Sequence, residues 1–126
     1  MTALADTSVF IAREQGRALT APPADDVAVS VVTVGELHLG VLMAADVDRR
    51  ALRLATLRLA EQLEPLPIDE SVAQAWATLV ARLRTAGRRM PISDSWIAAT
   101  ALARGMPVVT QDSDYDDVPG LRVVKV

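Results

Sequence analysis

Apolar positions along the chain switch repeatedly between the spacing of strands and the spacing of helices. Ala3-Leu4-Ala5 predicts a strand ending at Asp6, and Val9 to Ala12 follow as a short helix that Thr7 or Ser8 is placed to cap. Pro22-Pro23 with Asp25-Asp26 predicts a turn. Val27 to Val32, interrupted by Ala28 and Ser30, has the β-branched density of a strand buried on both faces. From Thr33 the spacing turns helical, with Val34, Leu37, Val41 and Leu42 on one side. Thr33 and Glu36 stand at capping-box spacing.

Asp46 to Leu63 predicts a long helix rich in Leu and Arg, closed by Pro65 and Pro67, and Leu66-Pro67-Ile68 fits a short edge strand. Asp69 to Ala86 predicts a second amphipathic helix that buries Val72, Trp76, Leu79, Val80 and Leu83 and stops at Gly87. Ser93 is placed to cap a third, which runs through Ile97, Ala98, Ala101 and Leu102 to Gly105. Pro107 to Thr110 and Leu121 to Val126 read as strands. Strands alternating with helices predict an α/β fold with a mainly parallel central sheet, and 126 residues fit a single domain over 1–126.

Half of the residues are apolar, enough for a core without staples. There is no cysteine, so a metal would have to be held by oxygen or by the one histidine, which favours a hard cation such as Mg²⁺ or Mn²⁺. That histidine, His38, follows Glu36 by two residues and so points to another face of a helix; a packed or surface role is the expectation for it. No apolar run approaches the roughly 20 residues of a membrane span, and no basic, then hydrophobic, leader opens the sequence. A cytoplasmic protein is expected.

Four acids from distant segments converge on one rim in this reading. In parallel sheets ligands bind beyond the C-terminal ends of the strands. Asp6 ends the first strand, Glu36 lies one turn into the helix after the second, Asp94 opens its helix, and Asp112 follows the strand at Val108. Packed carboxylates repel, and a cluster persists when a cation neutralises it or some members are protonated. Mg²⁺ suits such a site, where it would activate water for attack on a phosphodiester. A net charge of −3 is not the basic footprint that nucleic-acid binding usually leaves. Setting the four acids aside leaves 12 acids against 13 bases, so charge does not decide the matter.

Ala5-Asp6-Thr7-Ser8, Val34-Gly35-Glu36-Leu37, Ser93-Asp94-Ser95-Trp96-Ile97-Ala98-Ala99-Thr100-Ala101 and Val109-Thr110-Gln111-Asp112-Ser113-Asp114-Tyr115 occur in this order along the chain. In that order they resemble the PIN-domain family, and within it the VapC toxins of bacterial toxin–antitoxin pairs. The resemblance spans essentially the whole chain. It implies a three-layer α/β/α sandwich, Mg²⁺- or Mn²⁺-dependent endoribonuclease activity on an RNA substrate, frequent homodimerisation and inhibition by a VapB-type antitoxin. The family's metal-binding acids carry over to Asp6, Glu36, Asp94 and Asp112, with Thr7 or Ser8 and Thr110 supporting them by hydrogen bonds. Asp114 matches a frequently acidic position and is a candidate fifth member. The family often has Phe where this chain has Tyr115.

Blander readings stand beside these. Asp94 can complement a helix dipole, Asp6 can cap a turn, and Asp112 and Asp114 can be ordinary turn residues. If the segment after Asp112 turned helically, the side chains of Asp112 and Asp114 would diverge by about 200°, which favours Asp112 as the fourth ligand. Trp76 is expected in the core, and Trp96 in the core or, as the less favoured alternative, in a pocket wall. Arg49, Arg50, Arg53 and Arg58 read as a solvated helix face, while the surplus Leu52, Leu54, Leu57, Leu59 and Leu63 offer surface to a partner. Arg88 and Arg89, beside the mouth of the site, are the candidates for RNA phosphate contacts.

Two rival classes fit the sequence less well. A receiver-type phosphotransfer domain needs a lysine near its Asp, and the one lysine is Lys125; an aspartyl-phosphate phosphatase wants a second Asp where this chain has Ser8. A non-catalytic PIN-fold binding module is the other, and its loss of function would usually have removed an acid.

Overall fold

The structure, a computed structural model, describes residues 2–19 and 26–126. The elements are β1 (Thr2–Ala5), α1 (Thr7–Glu14), β2 (Asp26–Ala28), α2 (Val31–Leu42), α3 (Val47–Glu61), α4 (Glu70–Thr85), α5 (Ile92–Arg104), β3 (Val108–Thr110) and β4 (Val123–Lys125). The strands form one all-parallel sheet in the order β2-β1-β3-β4.

Alternation along β1 divides the core, because successive strand residues face opposite sides. Leu4, with Val108 of β3, packs against Leu79, Leu83, Ile97 and Tyr115 beneath α4 and α5. Ala5 faces the other way, toward Phe10, Leu37, Val41 and Leu57 of α1, α2 and α3. Helices therefore cover both faces, as the three-layer expectation has it. Four of the five helix starts have a side-chain cap: Asp6, Ser30, Asp46 and Asp69 all accept a backbone N–H of the first turn.

Several boundaries differ from the sequence reading. The cap of α1 is Asp6 itself, not Thr7 or Ser8. The β-branched run from Val27 does not continue as a strand, since Ser30 Oγ accepts the Val32 N–H at 3.0 Å and turns the chain into α2. β2 is correspondingly short and lies only half-buried. Thr33 thus falls inside the helix and does not open it. Of the edge strand at Leu66-Pro67-Ile68, only a single bridge from Leu66 to Ser30 forms. α5 begins after Pro91 with no side-chain cap, so Ser93 does not cap it. Gly105 ends α5 at φ 66, a left-handed conformation that suits glycine. The turn expected at Pro22-Pro23 lies outside the described residues.

Candidate active site

β1 and β3 are neighbours, and both deliver polar residues past their C-terminal ends. Asp6, the first residue after β1, is almost wholly buried. Its Oδ1 accepts the Ser8 backbone N–H at 3.1 Å and the Ser8 hydroxyl at 2.6 Å, and its Oδ2 accepts the Thr110 hydroxyl at 2.9 Å. The same two hydroxyls then hold the chain after β3: Gln111 N–H donates to Ser8 Oγ at 3.0 Å, and Asp112 N–H donates to Thr110 Oγ1 at 2.9 Å. Ser8 and Thr110 therefore fix Asp6 and the backbone of Asp112 together.

Thr7 serves a different acid. Its Oγ1 donates to Glu36 Oε1 at 2.6 Å and lies 3.0 Å from Thr33 Oγ1. The two residues expected to form a capping box thus both face α1, and Glu36 is oriented by Thr7.

Asp94, in the first turn of α5, meets Asp112 and Asp114. Each of the three brings a carboxylate oxygen within 4.8 Å of the others, and among the described residues this trio alone converges so tightly. Asp114 falls in a turn, not a helix, so its side chain does not diverge from that of Asp112 as helical geometry would require. Asp6 and Glu36 stand outside the trio, although the charges of Asp112 and Asp6 are felt at Asp6 and Asp94 respectively.

The electrostatics record the crowding. Burial pushes the Asp94 carboxyl up to about 7, reinforced by its hydrogen bond to and repulsion from Asp114. Burial also raises Asp6, against the lowering effect of its bonds from Ser8 and Thr110. Tyr115, fully buried, donates its hydroxyl to Asp94 Oδ1 at 3.2 Å. Burial and the charges of Asp6 and Asp94 push its phenol up, so it remains a donor across the working pH range. The sequence signalled Tyr115 only as a departure from Phe. A donor set of crowded carboxylate oxygens fits a hard divalent cation, which relieves repulsion that hydrogen bonds alone do not.

Arg88 clamps the turn below the trio, donating to the carbonyls of Asp117 at 2.6 Å and Asp116 at 2.8 Å. Its guanidinium is thus engaged with backbone, whereas Arg89 is exposed. Trp76 and Trp96 are half-buried and stacked, with ring centroids 4.4 Å apart, and do not lie in the core. Arg53 also leaves the expected solvated face, donating to the Gly40 carbonyl at 2.7 Å.

Comparison with known proteins gives the chain its family. Residues 3–121 match the PIN domain family. The chain is 53% identical to Ribonuclease VapC4 of Mycobacterium tuberculosis over 125 residues, covering 98% of this chain and 96% of the relative. It is 50% identical to Ribonuclease VapC5 of the same organism over 122 residues, covering 96% of this chain and 90% of the relative. Its fold is similar to the crystal structure of VapBC-5, a member of the VapBC family of toxin–antitoxin systems from Mycobacterium tuberculosis. That match has a TM-score of 0.87 and 46% identity, covering 99% of this chain and 97% of the other. By the family match over 3–121 and these identities across nearly the whole chain, this chain belongs to the PIN-domain family and to its VapC branch.

Proposed function

We propose that this chain is a metal-dependent endoribonuclease and the toxin of a toxin–antitoxin pair. The observation that carries the reading is the convergence of Asp94, Asp112 and Asp114, with Asp6 held beside them by Ser8 and Thr110. Asp94, Asp112 and Asp114 would hold Mg²⁺ or Mn²⁺, with Asp6 and Glu36 facing the same rim. When bound, the cation supplies Lewis acidity toward a phosphodiester and toward a water. The chain's own groups do the rest. Asp6, immobilised by its donors, keeps its carboxylate oxygens in a fixed position at the rim. Glu36, held by Thr7, is placed to accept a proton. Tyr115 orients Asp94. Arg89 remains a candidate for RNA phosphate, with Arg88 as a fixed charge behind it.

A VapB-type antitoxin is the partner we propose. Its landing surface is α3, where Leu52 is 52% exposed and Val47 82%, and the apolar groove of about 420 Å³ that Phe10, Leu59 and Leu63 line beside it. A homodimer and a cytoplasmic location belong to the same reading; among the described residues no helix is long and apolar enough to cross a membrane.

Incubating the purified chain with total RNA, Mg²⁺ or Mn²⁺, and EDTA as control tests the reading. Cleavage that requires the cation is the expected outcome. Undiminished cleavage after thorough chelation would overturn the metal requirement, and no cleavage in either metal would leave a non-catalytic binding module.

A further inference from the structure

A pocket of about 250 Å³ lies between the end of α4 and the start of α5, walled by Trp76, Arg84, Arg88, Arg89, Met90 and Ile92. Two of its residues connect it to the segments that carry the acids. Ser95, the neighbour of Asp94 in the chain, also lines it, and Arg88 reaches from it to the carbonyls of the acidic turn. Its aromatic wall is fixed: the Trp76 indole N–H donates to Ser95 Oγ at 3.0 Å, and the ring lies 5° from parallel with Trp96. Arg84 and Arg89 are exposed and pair with no carboxylate among the described residues.

The chain as a whole is acidic, yet three arginines line this pocket with one indole, at the start of the helix that carries Asp94. A polyanion drawn to the acids needs cations flanking them, and guanidinium presents its donors in the fork that phosphate accepts. An indole offers a face to an unpaired base, whereas bases inside a duplex have no free face. We infer that the pocket at Trp76, Arg84 and Arg89 is a nucleotide subsite, taking one unpaired base and its phosphate from single-stranded RNA beside the bond to be cut. This rests on the ribonuclease reading and adds to it a place for the flanking nucleotide. Arg84 and Arg89 hold the phosphate, Trp76 supports the base, and Arg88 is a stationary charge.

Both tryptophans of the chain belong to this stack, so intrinsic fluorescence is a local probe. A six-nucleotide single-stranded RNA titrated into the protein in EDTA at low salt quenches it saturably. The Arg84→Ala/Arg89→Ala variant binds that RNA about tenfold more weakly, and its KM for cleavage in Mg²⁺ or Mn²⁺ rises by about as much while kcat stays within about twofold. Trp76→Phe keeps an aromatic face and binds within a few-fold of the parent, while Trp76→Leu loses about tenfold, each reporting through Trp96. Unchanged RNA affinity and KM in the double arginine variant of a protein that does cleave RNA overturns the subsite and leaves the ribonuclease reading standing. Saturable quenching by RNA with no cleavage in either metal does the reverse. An equal response to a polyglutamate peptide assigns the pocket to an acidic protein segment and overturns the nucleotide.

Discussion

Asp6 and Asp94 sit at the rim of the same sheet, and burial raises the pKa of both, yet their surroundings are opposites. Asp6 accepts a backbone N–H and two hydroxyls, and those hydroxyls in turn hold the backbone after β3. Asp94 receives one long bond, from Tyr115, and faces two more carboxylates. The first half of the rim is architecture, satisfied without a cation. The second half is held together against repulsion, and a cation has most to offer there. The difference separates residues whose loss unfolds the site from residues whose loss empties it.

Removing charge from each half should break that comparison in opposite directions. Asp6→Ala deletes the cap of α1 and strands the Ser8 N–H and two hydroxyls, at a cost of about 1–3 kcal/mol. Asp94→Asn, in EDTA, should leave thermal stability equal or higher, because repulsion from Asp114 is relieved. Groups that merely orient metal ligands already matter by 10- to 100-fold, so both substitutions should cost at least about 100-fold in cleavage. Thermal melts beside cleavage rates check this. An Asp94→Asn protein as unstable as Asp6→Ala would dissolve the distinction.

The pH dependence of the metal-free protein sharpens it. The ordinary carboxyl titrates near 3.8 and Asp94 near 7, so between those values the folded chain holds a proton that the unfolded chain has released. The unfolded state then binds fewer protons, and stability falls as pH rises through that window. The raised Asp6 contributes with the same sign. In EDTA the melting temperature should therefore drop between pH 5 and pH 8, Mg²⁺ or Mn²⁺ should restore it at pH 8, and Asp94→Asn should flatten the slope. A melting temperature that climbs across the same range would show that the crowding is not felt.

How much of this the sequence made legible follows from where the causes lie. The helices α3 and α4 have uninterrupted amphipathic spacing and side-chain caps at Asp46 and Asp69, so their extents were readable. The end of β2 was not, because Val31 and Val32 carry strand propensity and one hydroxyl, that of Ser30, overrides it. The acids Asp6, Asp94 and Asp112 were readable as residues at strand and helix ends that share one rim. The convergence of Asp114 on Asp94 and Asp112 was not. Whether Asp112 and Asp114 converge depends on the path of a turn that Arg88 holds from 28 and 29 positions away in sequence, and no local pattern reports such a clamp. Tyr115 likewise reaches Asp94 across the core.

A smaller effect should separate Asp112 from Asp114. Asp112 is half-buried, and its backbone is anchored to Thr110, whereas Asp114 is exposed. Charge in water is screened and its loss is better tolerated. Asp112→Asn should weaken Mn²⁺ binding about 10- to 100-fold and Asp114→Asn less than about tenfold. The second variant should also bring Asp94 back toward the ordinary carboxylate range, since Asp114 is the cause that follows burial. Calorimetric Mn²⁺ titration of the pair decides, and a greater loss at Asp114 would move the dominant ligand to the turn.

The finest test removes a single oxygen. Tyr115→Phe keeps the ring that packs with Leu4, Leu79 and Ile97, so the core should hold. What disappears is the hydrogen bond to Asp94 Oδ1, which at 3.2 Å is long and therefore weak for a bond to a charged group. That bond favours the ionised carboxyl, so its loss should push Asp94 further up and leave less of it ready to bind a cation at neutral pH. Mn²⁺ affinity at pH 7 should fall about two- to fivefold, and the deficit should close as pH rises and Asp94 ionises in both proteins. The closing of that gap is the informative part. A deficit that stays constant from pH 6 to pH 9 would mean that the hydroxyl acts on packing or on the turn, and not through the charge of Asp94.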